Sequence, residues 1–168
     1  LEKILYYKSI LADRSVLIIG ASTGGPALVS DLLAGLAPTL PCAVLVVMHM
    51  PAGFTGYYAE RLSRKCALEV AEAHDGAELT PGKVWIAPGG CQTVIRRGVR
   101  LELGVSQAAS ADMYRPCIDL TIASAAKTCG KRTLAVIATG MGADGAVGCR
   151  DLRAAGGLIW AQDAASSA

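Results

Sequence analysis

Between residues 16 and 160 the chain alternates short, uninterrupted apolar runs with longer segments whose apolar residues recur every three or four positions. Residues 16–19 and 43–48 are apolar throughout. Runs this uniform suit strands buried on both faces, as in a parallel sheet covered by helices. After the first run, Leu28, Val29, Leu32, Leu33 and Leu36 follow at helical spacing. Pro26 stands in the first turn, where its missing N–H would have no helical partner anyway. Residues 54–65 read as a helix entered through a glycine-containing loop, and residues 68–73 and 84–87 as strands. Residues 94–96 and 99–103 flank Arg97-Gly98, which predicts a β-hairpin. Pro116 precedes a helical pattern at Ile118, Leu120, Ile122 and Ala125. Residues 134–137 form another buried strand, followed by a glycine-rich turn at 139–145 and a helix to about 155. Gly156-Gly157 ends that helix before a last strand at 158–160. Apolar strands alternating with helices predict a three-layer α/β sandwich: a mainly parallel, doubly wound sheet with a β-hairpin excursion. One domain over 16–168 is expected, with residues 1–15 as a linker or N-terminal extension.

Composition narrows the class. Of 168 residues, 52% are hydrophobic, and the mean hydropathy is +0.41, so a large core is expected. The apolar runs fall far short of the roughly 20 residues a membrane span needs. Residues 1–14 carry Glu2, Lys3, Lys8 and Asp13 and so lack the apolar centre of an export signal. A cytoplasmic protein with no membrane insertion is expected. The net charge of +2 is too small to imply nucleic-acid binding. Arg61, Arg64 and Lys65, and then Arg96, Arg97 and Arg100, read as a solvated helix face and a hairpin tip. Six cysteines, at positions 42, 66, 91, 117, 129 and 149, form no C-x-x-C pair and no zinc spacing. They read as reduced thiols, and no metal or organic cofactor is expected.

The candidate chemistry lies where ligands bind in such sheets, at the carboxyl ends of the strands. Ser22 follows the first strand, His49 the second, and Asp144 a later one. A serine hydroxyl becomes a useful nucleophile when a base takes its proton. An imidazole can take it, and a carboxylate behind the imidazole orients the ring and stabilises its charged form. Gly20-Ala21-Ser22-Thr23-Gly24 also matches the G-x-S-x-G nucleophile elbow, a sharp strand-to-helix turn. Amides at the following helix start suit a developing oxyanion. Only two histidines exist, His49 and His74. No histidine follows the late acids, so the order of an ordinary α/β-hydrolase, Ser then acid then His, is impossible. Either the order is Ser22, His49, Asp144 or the ordinary triad is absent. Asp31, mid-helix about two turns beyond the elbow, is a poorer acid. His74 lies in a polar stretch and reads as a solvated loop residue. The rival class is a nucleotide site. It needs G-x-G-x-x-G after the first strand and an acid at the end of the second; here the turn reads G-x-S-x-G-G, and His49 occupies the strand end.

Five ordered motifs then resemble one family: residues 19–26, the segment from His49 to Leu62, Ile86-Ala87-Pro88-Gly89-Gly90, residues 139–145, and Ala161-Gln162-Asp163. Together they resemble the CheB family of chemoreceptor protein-glutamate methylesterases, from about Val16 to the end. The resemblance implies a serine hydrolase of chemotaxis adaptation. It would demethylate glutamate methyl esters on bacterial chemoreceptors, releasing methanol, and some members also deamidate receptor glutamines. It implies Ser22, His49 and Asp144 as catalytic residues. Thr23, Gly24 and Met141 are then oxyanion or substrate-proximal positions. The implied partner is the methylated cytoplasmic domain of a chemoreceptor, with an upstream receiver domain in the parent chain. The sequence departs from the family pattern at Tyr114, where histidine is usual, at Cys117, where serine is usual, and at Ala164, where glutamate is usual. It stops at Ala168, short of the family's closing helix, so a truncated C-terminal end is expected. These departures keep a divergent or inactive homologue, acting as a binding module, as the alternative.

Overall fold

The computed structural model describes residues 10–167. Most of the expected N-terminal extension therefore lies outside the described residues; Leu11 packs into the core. The central sheet has six strands, all parallel, in the order β3-β4-β2-β1-β7-β8. These are β1 (Val16–Ala21), β2 (Ala43–Met48), β3 (Glu69–Glu72), β4 (Lys83–Ile86), β7 (Thr133–Ile137) and β8 (Leu158–Ala161). Among the described residues, the helices that cover it include α1 (Gly25–Ala34), α2 (Phe54–Ser63), α3 (Ile118–Thr128) and α4 (Ala146–Ala154). A separate antiparallel hairpin, β5 (Cys91–Arg97) and β6 (Leu101–Gln107), packs beside α3. This is the expected α/β architecture with its hairpin excursion.

The uniform apolar runs are explained by burial on both faces. All twelve residues of β1 and β2 are buried. Leu17, Ile19 and Ala21 of β1, with Val44, Val46 and Met48 of β2, face one core with Val29, Leu33, Tyr58 and Leu62 from α1 and α2. Val16 and Ile18, with Ala43, Leu45 and Val47, face the other core, against Ile118, Ile122 and Leu152 from α3 and α4. The strand period of two thus assigns alternate side chains to opposite cores.

Three elements differ from expectation. The hairpin is longer than its apolar residues suggested, because Gln92, Thr93, Ser106 and Gln107 also pair. Val99, expected to open the second strand, is fully exposed at the tip, where Gly98 N–H donates to the Arg100 carbonyl at 3.0 Å. Helix α2 stops at Ser63, and the Lys65 and Cys66 amides fold back onto the Leu62 carbonyl. The hairpin arginines are largely occupied by surface pairing: Arg96 with Asp75 and Glu102, and Arg100 with Glu78. Among the described residues, no helix is long and apolar enough to cross a membrane.

Leu45 lies on a central strand with no exposed surface. Leu45→Ala should destabilise the fold by about 2–5 kcal/mol, read from chemical denaturation, with the unfolding slope unchanged.

Candidate active site

The parallel ladder carries Ser22 and His49 to the same edge. Ala21 pairs with Met48 at the ends of β1 and β2, and the ladder continues one step as His49 N–H donates to the Ala21 carbonyl at 3.3 Å. On the other side of β1, Gly20 pairs with Ile137 of β7, and Ser22 N–H donates to the Thr139 carbonyl at 2.9 Å. The turn after β7 therefore runs alongside the turn after β1. Gly24 caps α1 with φ 78°, a left-handed conformation that glycine adopts without steric cost. Gly140 answers a different need. A Cβ there would lie 2.7 Å from the Ser22 Cβ, so only glycine lets the two turns approach this closely.

His49 lies between Ser22 and Asp144. The Ser22 hydroxyl is 3.1 Å from His49 Nδ1, and His49 Nε2 is 2.7 Å from Asp144 Oδ2. With the neutral ring protonated on Nε2, that N–H donates to the carboxylate, and the Nδ1 lone pair faces the serine. The Asp144 side chain is 2% exposed, against 18% for His49. Asp144 compensates by accepting from the Ile118 amide at 2.8 Å, the Asp119 amide at 2.9 Å and the Cys117 thiol at 3.3 Å. These amides open α3, where the helix dipole also favours negative charge. Burial pushes the Asp144 carboxyl up, but the hydrogen bonds from His49, Asp119, Ile118 and Cys117 together hold it below its ordinary 3.8. Burial pushes the Cys117 thiol up to about 11, so it stays protonated near neutrality and serves as a donor.

The other candidate positions are more open. Thr23 and Gly24 are exposed on the turn that carries Ser22. Met141 is 79% exposed and borders a cavity of about 80 Å³ together with Ser22, His49, Gly140, Gly142 and Asp144. On its other side His49 joins Met50, Pro51, Met113, Tyr114 and Arg115 around an open groove of about 400 Å³. Arg61 lies elsewhere, lining a cavity with Ala27, Ser30, Asp31 and Lys65. His74 is exposed and sits edge-on to Trp85. Among the described residues, no cluster of three or more His, Cys, Asp or Glu side chains could hold a metal ion.

Three contributors were given no role by the sequence reading. Gln92 fastens the segment before α3 through its side-chain amide. Gln162 accepts from the Thr139 amide at 2.8 Å and so supports the turn beside Ser22. Tyr114 stands out in the sequence only as a departure from a motif, yet its ring stacks on His49.

A model of the CheB methylesterase family matches residues 17–168. The chain belongs to the CheB methylesterase family. Among curated CheB relatives, it is 49% identical over 155 residues to the protein-glutamate methylesterase/protein-glutamine glutaminase 1 of Myxococcus xanthus, covering 90% of this chain and 44% of that one. It is 45% identical over 153 residues to the protein of Alkalilimnicola ehrlichii named protein-glutamate methylesterase/protein-glutamine glutaminase, covering 90% and 39%. The chain thus spans about two fifths of the length of these CheB relatives. The crystal structure of the Thermotoga maritima CheB methylesterase catalytic domain superimposes with a TM-score of 0.86 at 35% identity, covering 92% of this chain and 82% of that one.

Two outcomes are expected. A carboxyl held below its unfolded value stabilises the fold wherever it is ionised, and this contribution disappears as pH falls through the lowered value. Asp144→Asn should therefore destabilise the protein at neutral pH, with the gap to wild type closing below about pH 4 in a series of urea melts. Gly140→Ala should leave the protein folded while displacing Ser22, seen as slower labelling by a fluorophosphonate.

Proposed function

We propose that this chain is a serine hydrolase that removes methyl groups from glutamate methyl esters on the cytoplasmic domain of bacterial chemoreceptors. The observation that carries this reading is the continuous chain from the Ser22 hydroxyl through His49 to the buried Asp144, in a member of a methylesterase family. Ser22 Oγ attacks the ester carbonyl while its proton passes to His49 Nδ1. The imidazolium, stabilised by Asp144, returns the proton to the departing methoxide, and methanol leaves. A water then gives its proton to Nδ1 and attacks the acyl-serine; the C–Oγ bond breaks, Nδ1 returns the proton to Ser22 Oγ, and the glutamate is freed. Backbone amides at Thr23, Gly24 and Met141 are the proposed donors to the oxyanion. With ammonia in place of methanol, the same route deamidates glutamine, the second activity in the relatives' names. None of these steps draws on a cofactor.

The groove beside His49 supports a macromolecular substrate. It is open, and Arg115 stands on its wall, suited to an acidic helix that presents a methylated glutamate. The relatives' greater length leaves room for an upstream receiver domain, whose phosphorylation would regulate access.

Methanol release from a methylated receptor fragment tests the reading. Ser22→Ala should lower turnover by at least about four orders of magnitude. kcat/KM should fall as salt rises, because exposed charges are screened. Arg115→Glu should lower kcat/KM for the receptor fragment while sparing hydrolysis of a small activated ester. If small esters are cleaved and no receptor fragment is demethylated, the hydrolase survives and the chemoreceptor substrate does not.

A further inference from the structure

Two in-plane hydrogen bonds leave an imidazole one freedom: tilting about the line through its two nitrogens. A contact on the ring face removes that freedom. The face of His49 is covered by Tyr114, whose ring stacks on it at 4.6 Å between centroids and 8° between planes.

Tyr114 is itself held from below. Gln92 is buried on β5, within the hairpin. Its amide nitrogen donates to the Tyr114 carbonyl at 2.9 Å and to Asp112 Oδ2 at 3.0 Å. Its amide oxygen accepts from the Cys117 amide at 2.9 Å. Both N–H groups and the carbonyl of this one side chain are thus spent on residues 112–117. Asp112 closes the segment further by accepting from the Ala109 amide at 3.0 Å. Cys117 in turn donates its thiol proton to Asp144. One buried glutamine therefore reaches both sides of the proposed base: its ring face through Tyr114 and its carboxylate through Cys117.

We infer that Tyr114 and Gln92 are positioning residues of the triad: Tyr114 sets the plane of His49, and Gln92 sets Tyr114. The inference rests on the reading of Ser22, His49 and Asp144 as a hydrolytic triad. It gives Tyr114 a role that its polar hydroxyl does not supply, because the contact is made by the ring. It also makes the hairpin, through Gln92, part of the catalytic support.

Because the chain has two histidines, the imidazole NMR spectrum of protein labelled with ¹⁵N-histidine separates His49 from exposed His74, with His49→Ala assigning the signals. In the wild type, the Nε2 proton shared with Asp144 should exchange slowly with water. Tyr114→Leu and Gln92→Leu should broaden it, and should lower kcat for p-nitrophenyl acetate about tenfold with KM unchanged. Tyr114→Phe, which keeps the ring, should recover both signals. The double variant Tyr114→Leu/Gln92→Leu should lose less than the product of the single losses, because the two act in series. If Gln92→Leu does not fold, Gln92→Glu keeps the shape and removes the donors. An unchanged His49 resonance and unchanged kcat in Tyr114→Leu would overturn the inference, as would a loss fully accounted for by unfolded protein. If the wild type cleaves no ester while the His49 resonance responds as expected, the hydrolase reading fails and the positioning role stands.

Discussion

The Asp144 carboxylate has given up nearly all contact with water and must regain that solvation from protein donors. Much of the architecture around the site follows from this requirement. Two of the donors are the first amides of α3, so α3 must begin beneath the turn after β7. A third is the Cys117 thiol, and a fourth is His49 itself. The carboxylate is therefore a junction where the end of β2, the start of α3 and the turn after β7 meet. Displacing any one of them leaves a buried charge short of partners, which costs far more than an exposed ion pair contributes.

Support for α3 comes from outside the sheet. Thr121 donates to the Thr93 carbonyl at 2.7 Å, the Ser124 hydroxyl accepts from the Ile95 amide at 2.8 Å, and Thr128 donates to the Ile95 carbonyl at 3.1 Å. The hairpin thus acts as a brace along α3, and Gln92 extends that brace to the segment before the helix. The cysteine at 117 fits the same scheme. A protonated thiol remains a donor, and its longer bond still reaches the carboxylate.

The sheet was legible in the sequence because the core strands are buried on both faces and leave no polar residue to blur their runs. Ser22 and His49 were legible because each directly follows such a run, and Asp144 because a glycine-rich turn follows β7. The hairpin was harder to read. Gln92 and Thr93 are both buried, on opposite faces of β5, and buried polar residues break the alternation that marks a strand. Val99 misled for the opposite reason: a β-branched residue that alternates with Leu101 and Leu103 suggests a strand, yet here it occupies a tight tip closed by a Gly98–Arg100 hydrogen bond. The stacking of Tyr114 on His49 had no local signal. It joins residues 65 positions apart, a distance of roughly the kind that only tertiary structure closes.

The order of the strands has a consequence for how the molecule comes into being. β1 lies between β2 and β7, and the contact from His49 to Asp144 spans 95 residues. A partly folded chain holding only β1 and β2 can bring serine and imidazole together, but nothing yet orients the ring or balances its charge. That waits until β7 has docked on the far side of β1 and α3 has formed. Long-range closures of this kind are late and slow relative to local ones. On the proposed reading of the site, a chain in which β7 and α3 have not docked therefore holds Ser22 and His49 without the carboxylate that would orient the ring.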